Sequence, residues 1–387
     1  MVIQLHKFVP DILKWARERA GLDIASLANK MKVTVDTVKQ WETTGELSLP
    51  KARKLASYTR THFGYLFLEM PLSDKLPIPD FRTVADTPLG RPSPDLLEII
   101  QTMQRRQECM RDLCIEDGAD KLSFVGSVSI NNNPAEIAKK IRNALGISTD
   151  WAKSLHNWVD ALRHLRERIE TVGILIFISG IVDNNTHRKL DTAEFRGFVI
   201  CDDYAPLIFI NGSDFQSAQM FTIAHELAHV WIGEDGVSNF EKLNAPDKVI
   251  ELFCNKVAAE FLIPGEELEN LWPKIKNSQN PFDAVARQFK VSQIVAARRC
   301  LDLNYITRNR FFEFYEDYIK AERRDHKKKS GGDFWKTQNI RLGNRFGTMV
   351  VIAAKEGRIL YHDAYKLTGL KGATFEKFAK NIGFPLL

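Results

Sequence analysis

The segment Phe221–Trp231 carries His225, Glu226 and His229 in the order HExxH, inside a run that is otherwise apolar or alanine apart from Thr222. Residues four apart stack on one face of a helix, so His225 and His229 can direct ring nitrogens at a single metal ion. Glu226 lies one position round that helix. It can reach a water beside the metal but is misplaced to be a third ligand. Zinc held in this way is a Lewis acid that lowers the pKa of water, and a neighbouring carboxylate then accepts the proton. Burying two imidazoles and a carboxylate without partners is costly. The apolar flanks therefore argue for a purposeful buried site.

A third ligand is expected downstream, in Glu251–Pro264. Its apolar positions recur at helical spacing and Pro264 ends it. Glu251 and Asn255 share a face, so Glu251 can coordinate while Asn255 supports a ligand from behind. Glu260 competes for the role, but lies more than two turns further along. Cys254 is one residue off the face and is expected to pack. The layout with a third histidine fails, because Ile232 stands where its glycine belongs and Asp235 where its histidine belongs.

Taken together, FTIAHELAHVW and ELFCNKVAAEFLIP resemble the ImmA/IrrE family of bacterial and phage metallopeptidases, which are gluzincin-like. The family pattern is a short strand ending in Asn, then HExxH, then E-x-x-x-N-x-x-A-A-x-x-L-x-P. Here the strand is Ala205–Asn211, and the resemblance covers about residues 121–275. It implies a minimal zincin fold whose edge strand (Leu207, Ile208, Phe209, Ile210, Asn211) holds an extended peptide by β-addition. It also implies regulatory proteolysis of repressors or antitoxins.

The elements that position these residues read as an α+β arrangement. Pro134–Leu145 and Trp151–Thr171 are expected helices. Gly173–Ser179, Phe195–Cys201 and Leu207–Ile210 are expected strands, and Ser213 is the expected cap of a motif helix running to about Ile232. The polar stretches Asn184–Lys189 and Glu194–Gly197 precede the last strand. His187, Arg196 or Tyr204 could stabilise an oxyanion, and the residue pattern does not choose among them.

The first seventy residues carry a second pattern. Helices are expected over Asp11–Ala20, Ile24–Met31, Val35–Thr43 and Ser48–Tyr58, with Thr34 capping the third. Two short helices joined by a tight turn within a bundle form a helix-turn-helix. The run resembles an Xre-type repressor domain in Leu27-Ala28, Val33-Thr34 and Val38-x-x-Trp41-Glu42. Thr34, Thr37, Lys39 and Gln40 are the candidate DNA-contacting residues. Asp36 has the wrong sign for phosphate, and Ile24 replaces the Gln usual at the start of the second helix. DNA and a protein partner, such as another helix-turn-helix protein, both remain open.

The fold class that follows is multidomain. An all-α helix-turn-helix domain (1–70) precedes a Pro-rich linker and helix (71–120) and an α+β zincin-like metallopeptidase core (121–275). A helical C-terminal region follows, comprising a bracing segment with helix-turn-helix rhythm (276–325) and a basic linker with a small helical tail (326–387). Pro71, Pro77, Pro79, Pro88, Pro92 and Pro94 argue against regular structure in the linker, and Leu76–Arg82 could lie in a groove of the peptidase domain. Asp95–Cys114 reads as one helix with an apolar stripe.

At 387 residues, 44% hydrophobic and 27% charged, the chain is an ordinary globular protein in composition. Its longest apolar run, Val172–Val182, is too short to span a bilayer, so no membrane role is expected. The start has no signal-peptide architecture. Five scattered cysteines fit reduced thiols in a cytoplasm better than a disulfide framework. Net charge is +4 over 1–70, −4 over 71–120, −6 over 121–275 and +11 over 276–387. The basic tail, with its run Arg323–Lys329, could meet nucleic acid or an acidic partner, or be a solvated linker. The sequence thus points to a zinc endopeptidase acting on a repressor, antitoxin or toxin. The alternative is a non-proteolytic regulator that binds DNA or a toxin and keeps a structural zinc.

Overall fold

The computed structural model describes residues 5–72, 83–84, 87–88, 92–238, 249–322 and 334–384. The chain divides into two compact units, Met1–Pro77 with Leu89–Gln101, and Ile78–Pro88 with Thr102–Leu387.

In the first unit, β1 (Leu5–Lys7) leads to α1 (Pro10–Arg19), α2 (Ile24–Met31), α3 (Val35–Thr44), β2 (Glu46–Ser48) and α4 (Leu49–Tyr58). Ile12, Leu13, Leu27, Val38, Trp41 and Leu55 form its core. Asp23 caps α2 by accepting from Ser26 N, Lys32 takes the left-handed conformation that ends it, and Thr34 caps α3. Three residues therefore separate the two helices. Arg17 on α1 grips Glu42 on α3 through two hydrogen bonds of 2.6 and 2.9 Å. The expectation of an all-α unit needs correcting, because β1 pairs antiparallel with β2. The reason is Gly45, at φ 74°, where an added Cβ would lie 1.9 Å from the Phe8 carbonyl oxygen. Only glycine lets the chain turn there and accept the Phe8 amide at 2.8 Å.

The linker contains a short ladder instead of being wholly irregular. β3 (Thr83–Val84) pairs antiparallel with β4 (Thr87–Pro88). Leu76–Arg82 and Arg323–Lys329 lie outside the described residues. The helix expected from Asp95 is α5 (Pro94–Glu116); its opening turns belong with the first unit and the remainder with the second.

In the second unit, α6 (Pro134–Leu145) and α7 (Trp158–Thr171) precede a sheet of β5 (Leu175–Ser179), β6 (Gly197–Ile200), β7 (Leu207–Asn211) and β8 (Gly236–Ser238). Asn157 caps α7 by accepting from Asp160 N, so this helix begins seven residues after Trp151, where it was expected to start. The sheet order is β5-β7-β6-β8; β5 and β7 are parallel and the other pairs antiparallel. This corrects the edge-strand expectation. Leu207, Ile208, Phe209, Ile210 and Asn211 are paired on both sides and buried, as their unbroken apolar run suits.

α8 (Gln216–Ile232) follows β7 and lies against it and against β6. Its N-cap is Phe215, not Ser213, whose hydroxyl instead donates to the Gly180 carbonyl at 3.1 Å. α9 (Val249–Leu262), α10 (Gly265–Ile275), α11 (Pro281–Phe289) and α12 (Gln293–Asp302) come next, followed by α13 (Arg308–Glu322). Phe282, Val285, Phe289, Ala296 and Phe311 share one apolar cluster with Ile223, Leu227 and Val257, so α11 to α13 and the sheet domain have a common core.

The tail forms α14 (Phe334–Leu342), α15 (Asn344–Lys355), α16 (Tyr361–Thr368) and α17 (Ala373–Asn381), with α14 against β5. The buried guanidinium of Arg106 lies 5.2 and 5.7 Å from the ring centres of Phe177 on β5 and Phe346 on α15, and donates to Leu367 O at 2.8 Å. Burial brings that guanidinium down to about 10. Gln338 and Gly369 both bond the side chain of Asn184, at 2.7 and 3.0 Å. At Gly343 (φ 65°) the tail approaches so closely that an added Cβ would lie 2.9 Å from both Ile176 O and Glu170 Oε1.

Candidate metal centre

From Met220 to Ile232 α8 is apolar or alanine apart from Thr222 and the motif, so it folds as a buried helix between the sheet and α9. Gly233 ends it at φ 81°, and Phe124 stacks on Trp231 with ring centres 4.5 Å apart. Spacing alone aligns His225 and His229 on the α8 face, and α9 brings Glu251 up to them from its first turn.

The three side chains converge. His225 Nε2 is 3.2 Å from Glu251 Oε2, His229 Nε2 is 3.1 Å from Glu251 Oε1, and the two Nε2 atoms are 3.0 Å apart. Among the described residues this is the one group of three or more that could hold a metal ion. Asn255, one turn along α9 from Glu251, places Oδ1 3.0 Å from His225 Nδ1. Burial drives His225 below the ordinary imidazole value, against the pull of Glu251.

These facts test the fit of a cation. A neutral His225 that donates its Nδ1 proton to Asn255 keeps a lone pair on Nε2. That lone pair faces a carboxylate oxygen, so two acceptors oppose each other at 3.2 Å. A cation between them resolves the conflict. Tetrahedral ligands bonded at about 2.0–2.1 Å lie roughly 3.3–3.4 Å apart, close to the separation of the two Nε2 atoms and of each from its nearer Glu251 oxygen. The donor set therefore fits a small ion with one coordination position left open.

The other candidates are engaged elsewhere. Glu260 pairs with Arg299 of α12 and accepts the Gly265 amide at 3.1 Å, which opens α10. Cys254 is buried, and burial raises its thiol far above the usual value. Arg196 pairs with Asp214 at 3.0 Å, the Tyr204 ring lies under the Lys121 ammonium at 5.9 Å, and His187 is exposed. In the first unit, Thr34 and Thr37 are drawn into the α3 cap, leaving Lys39 and Gln40 on its exposed face.

One residue escaped the sequence reading. Gly197, on β6, faces the motif so closely that an added Cβ would be 2.9 Å from Glu226 Oε1 and 2.7 Å from Thr222 Cγ2. A glycine at the head of an apolar strand was the available signal, since it often marks a close approach.

Residues 169–301 match the family model of the IrrE N-terminal-like domain, Peptidase_M78. The match runs from the end of α7 through the sheet, α8 and α9 to α12, and so includes all three converging side chains and Glu226. A peptidase family thus stands where the geometry puts a candidate metal site. Residues 342–381 match a domain of unknown function, DUF8813. No curated protein matches the chain. Among the described residues, no helix is long and apolar enough to cross a membrane.

Proposed function

We propose that this chain is a zinc-dependent endopeptidase of the ImmA/IrrE type, with His225, His229 and Glu251 as metal ligands and Asn255 orienting His225. The observation that carries the reading is the convergence of His225 Nε2, His229 Nε2 and the Glu251 carboxylate at 3.0 to 3.2 Å, with Glu226 on the adjoining helical position. Zinc, when bound, supplies Lewis acidity to the scissile carbonyl and to water. Glu226 takes the proton of the attacking water and returns it to the departing amine nitrogen as the carbon–nitrogen bond breaks. Asn255 fixes the imidazole tautomer, and the apolar surroundings strengthen each of these charges.

The substrate class that suits a regulatory peptidase of this kind is a repressor, antitoxin or toxin protein, in a cytoplasm that keeps the five free cysteines reduced. Replacing Glu226 by Gln tests the reading. The variant should fold, bind stoichiometric zinc and lose cleavage of a partner protein by at least about 10²-fold, the worth of a general base. Cleavage at the parental rate, or purified protein without a transition metal, would refute it.

A second reading belongs to the first unit. Its α2–turn–α3 geometry resembles a helix-turn-helix, and Lys39 and Gln40 point outward. On this reading the chain docks on DNA or on another regulator, with Thr34 and Thr37 shaping the helix that does so. Gel-shift against the DNA upstream of its own coding sequence distinguishes them. Specific binding that weakens with salt and with Gln40→Ala supports DNA, whereas binding at the non-specific level alone removes it.

A further inference from the structure

Every group the proposed chemistry needs is sealed from solvent. His225, Glu226 and His229 are 0% exposed and Glu251 4%. A scissile peptide must reach them, so part of this chain stands where the substrate would lie.

The sheet locates that part. An extended peptide joins a sheet through main-chain hydrogen bonds to an outer strand. β7 is paired on both sides, and β5 meets the tail backbone at Gly343. β6 is the strand that touches the chemistry, through Gly197 against Glu226. Its free side is taken by β8, the first segment after the motif helix.

We infer that the outer side of β6 is the lane for the substrate main chain and that β8 is an intramolecular stand-in for it. The chain then blocks itself until Gly236–Ser238 is displaced. This rests on the peptidase reading above. Three features of the structure support it. β8 runs antiparallel to β6 in the register Gly197↔Ser238, Phe198↔Val237 and Val199↔Gly236, so its last residue stands opposite the glycine beside Glu226. The Asp235 carboxylate accepts from Cys201 N and so prolongs the pairing one step beyond the ladder. The left-handed Gly233 returns the chain from α8 to the sheet within three residues. A ladder of three residue pairs is short enough to be exchanged for a longer one. The substrate it favours is therefore an extended, strand-forming segment, with a helix in the substrate excluded until it unwinds.

The test uses the full zinc-loaded protein, with dipicolinate to strip the metal and fluorescein-labelled casein as the cleavage probe. Adjacent strand residues point their amides to opposite sides. The double variant Val237→Pro, Ser238→Pro thus removes at least one donor to β6 whatever the phase of the ladder. Asp235→Ala removes the anchor at Cys201 and leaves the ladder sequence untouched, so it serves if the double variant fails to fold. Either variant should lose zinc to dipicolinate about tenfold faster than the parent, the equivalent of one or two such bonds, and should cleave casein faster. Adding Glu226→Gln should abolish the cleavage and leave the fast stripping.

Parental stripping rates in both variants would overturn the inference while leaving the metal reading intact. Slower casein cleavage with faster stripping would also overturn it, because β8 would then be part of the productive site. Zinc missing from the parent and every variant would bring down the metal reading, and this inference with it.

Discussion

Gly197→Ala perturbs the centre by one carbon atom. The new Cβ would meet Thr222 Cγ2 at 2.7 Å, Glu226 Oε1 at 2.9 Å and Phe209 O at 3.1 Å, against ordinary contacts of about 3.5–4.0 Å. Two of these partners are poorly placed to yield. Phe209 O is backbone in a strand paired on both sides, and the Thr222 hydroxyl is held by Ala218 O at 3.2 Å. The Glu226 carboxylate, at the end of a flexible side chain, therefore moves most. Overpacking of this kind costs about 1–3 kcal/mol, and displacing a catalytic group by about 1 Å can cost about 10²-fold in rate. Urea unfolding of the zinc-loaded protein and casein cleavage read the two effects separately. Adding Thr222→Ser removes the methyl clash, so the double variant should regain most of the stability and little of the activity. If Gly197→Ala unfolds at the parental midpoint and cleaves at the parental rate, Glu226 is not held against β6 and the reasoning fails.

Three further outcomes follow from the same geometry. Asn255→Ala should weaken zinc binding by about 10–100-fold in competition with a chromophoric chelator, and Asn255→Asp, which keeps the acceptor, should recover part of it; parental affinity in the alanine variant would remove the orienting role. Phe346→Ala opens the aromatic clamp around Arg106 and should cost about 3–5 kcal/mol in urea unfolding, with faster proteolysis of the tail; an unchanged midpoint would mean that the tail is only loosely held. Burial raises the carboxyls of Glu170 and Asp214 above the ordinary range, against the pull of Arg166 and Arg196. The folded chain thus binds protons that the unfolded chain releases, and these groups subtract stability as pH rises from their unfolded values through their raised ones. Glu170→Gln should flatten that fall in urea midpoints taken from about pH 4 to 7; an unaltered slope would assign it to other groups.

The sequence was most legible where a local rule sufficed. A four-residue spacing puts His225 and His229 on one face whatever surrounds the helix, and the same rule pairs Glu251 with Asn255. Thr34 marked the start of α3, because a cap is satisfied within a few residues. Reading failed where partners are distant in sequence. Trp151 opens an amphipathic pattern that looks helical, but Asn157 supplies the cap and the helix starts only after it. Leu207–Asn211 has the same apolar pattern at an edge or at the centre of a sheet. Only its pairing with β5 on one side and β6 on the other makes it central.

What the amino-acid order determined by itself was the chemistry: two imidazoles and a carboxylate one turn apart or adjacent, and a second acidic helix able to meet them. What the tertiary structure decided was which acid arrives, which strand lies over Glu226, and what holds the tail. Glu251 is favoured over Glu260 by its place on the helix, and the structure adds that Arg299, thirty-nine positions beyond Glu260, claims the latter. Covalent spacing fixes angles over one or two turns. Beyond that range, close packing and the pairing of buried charges choose the neighbours.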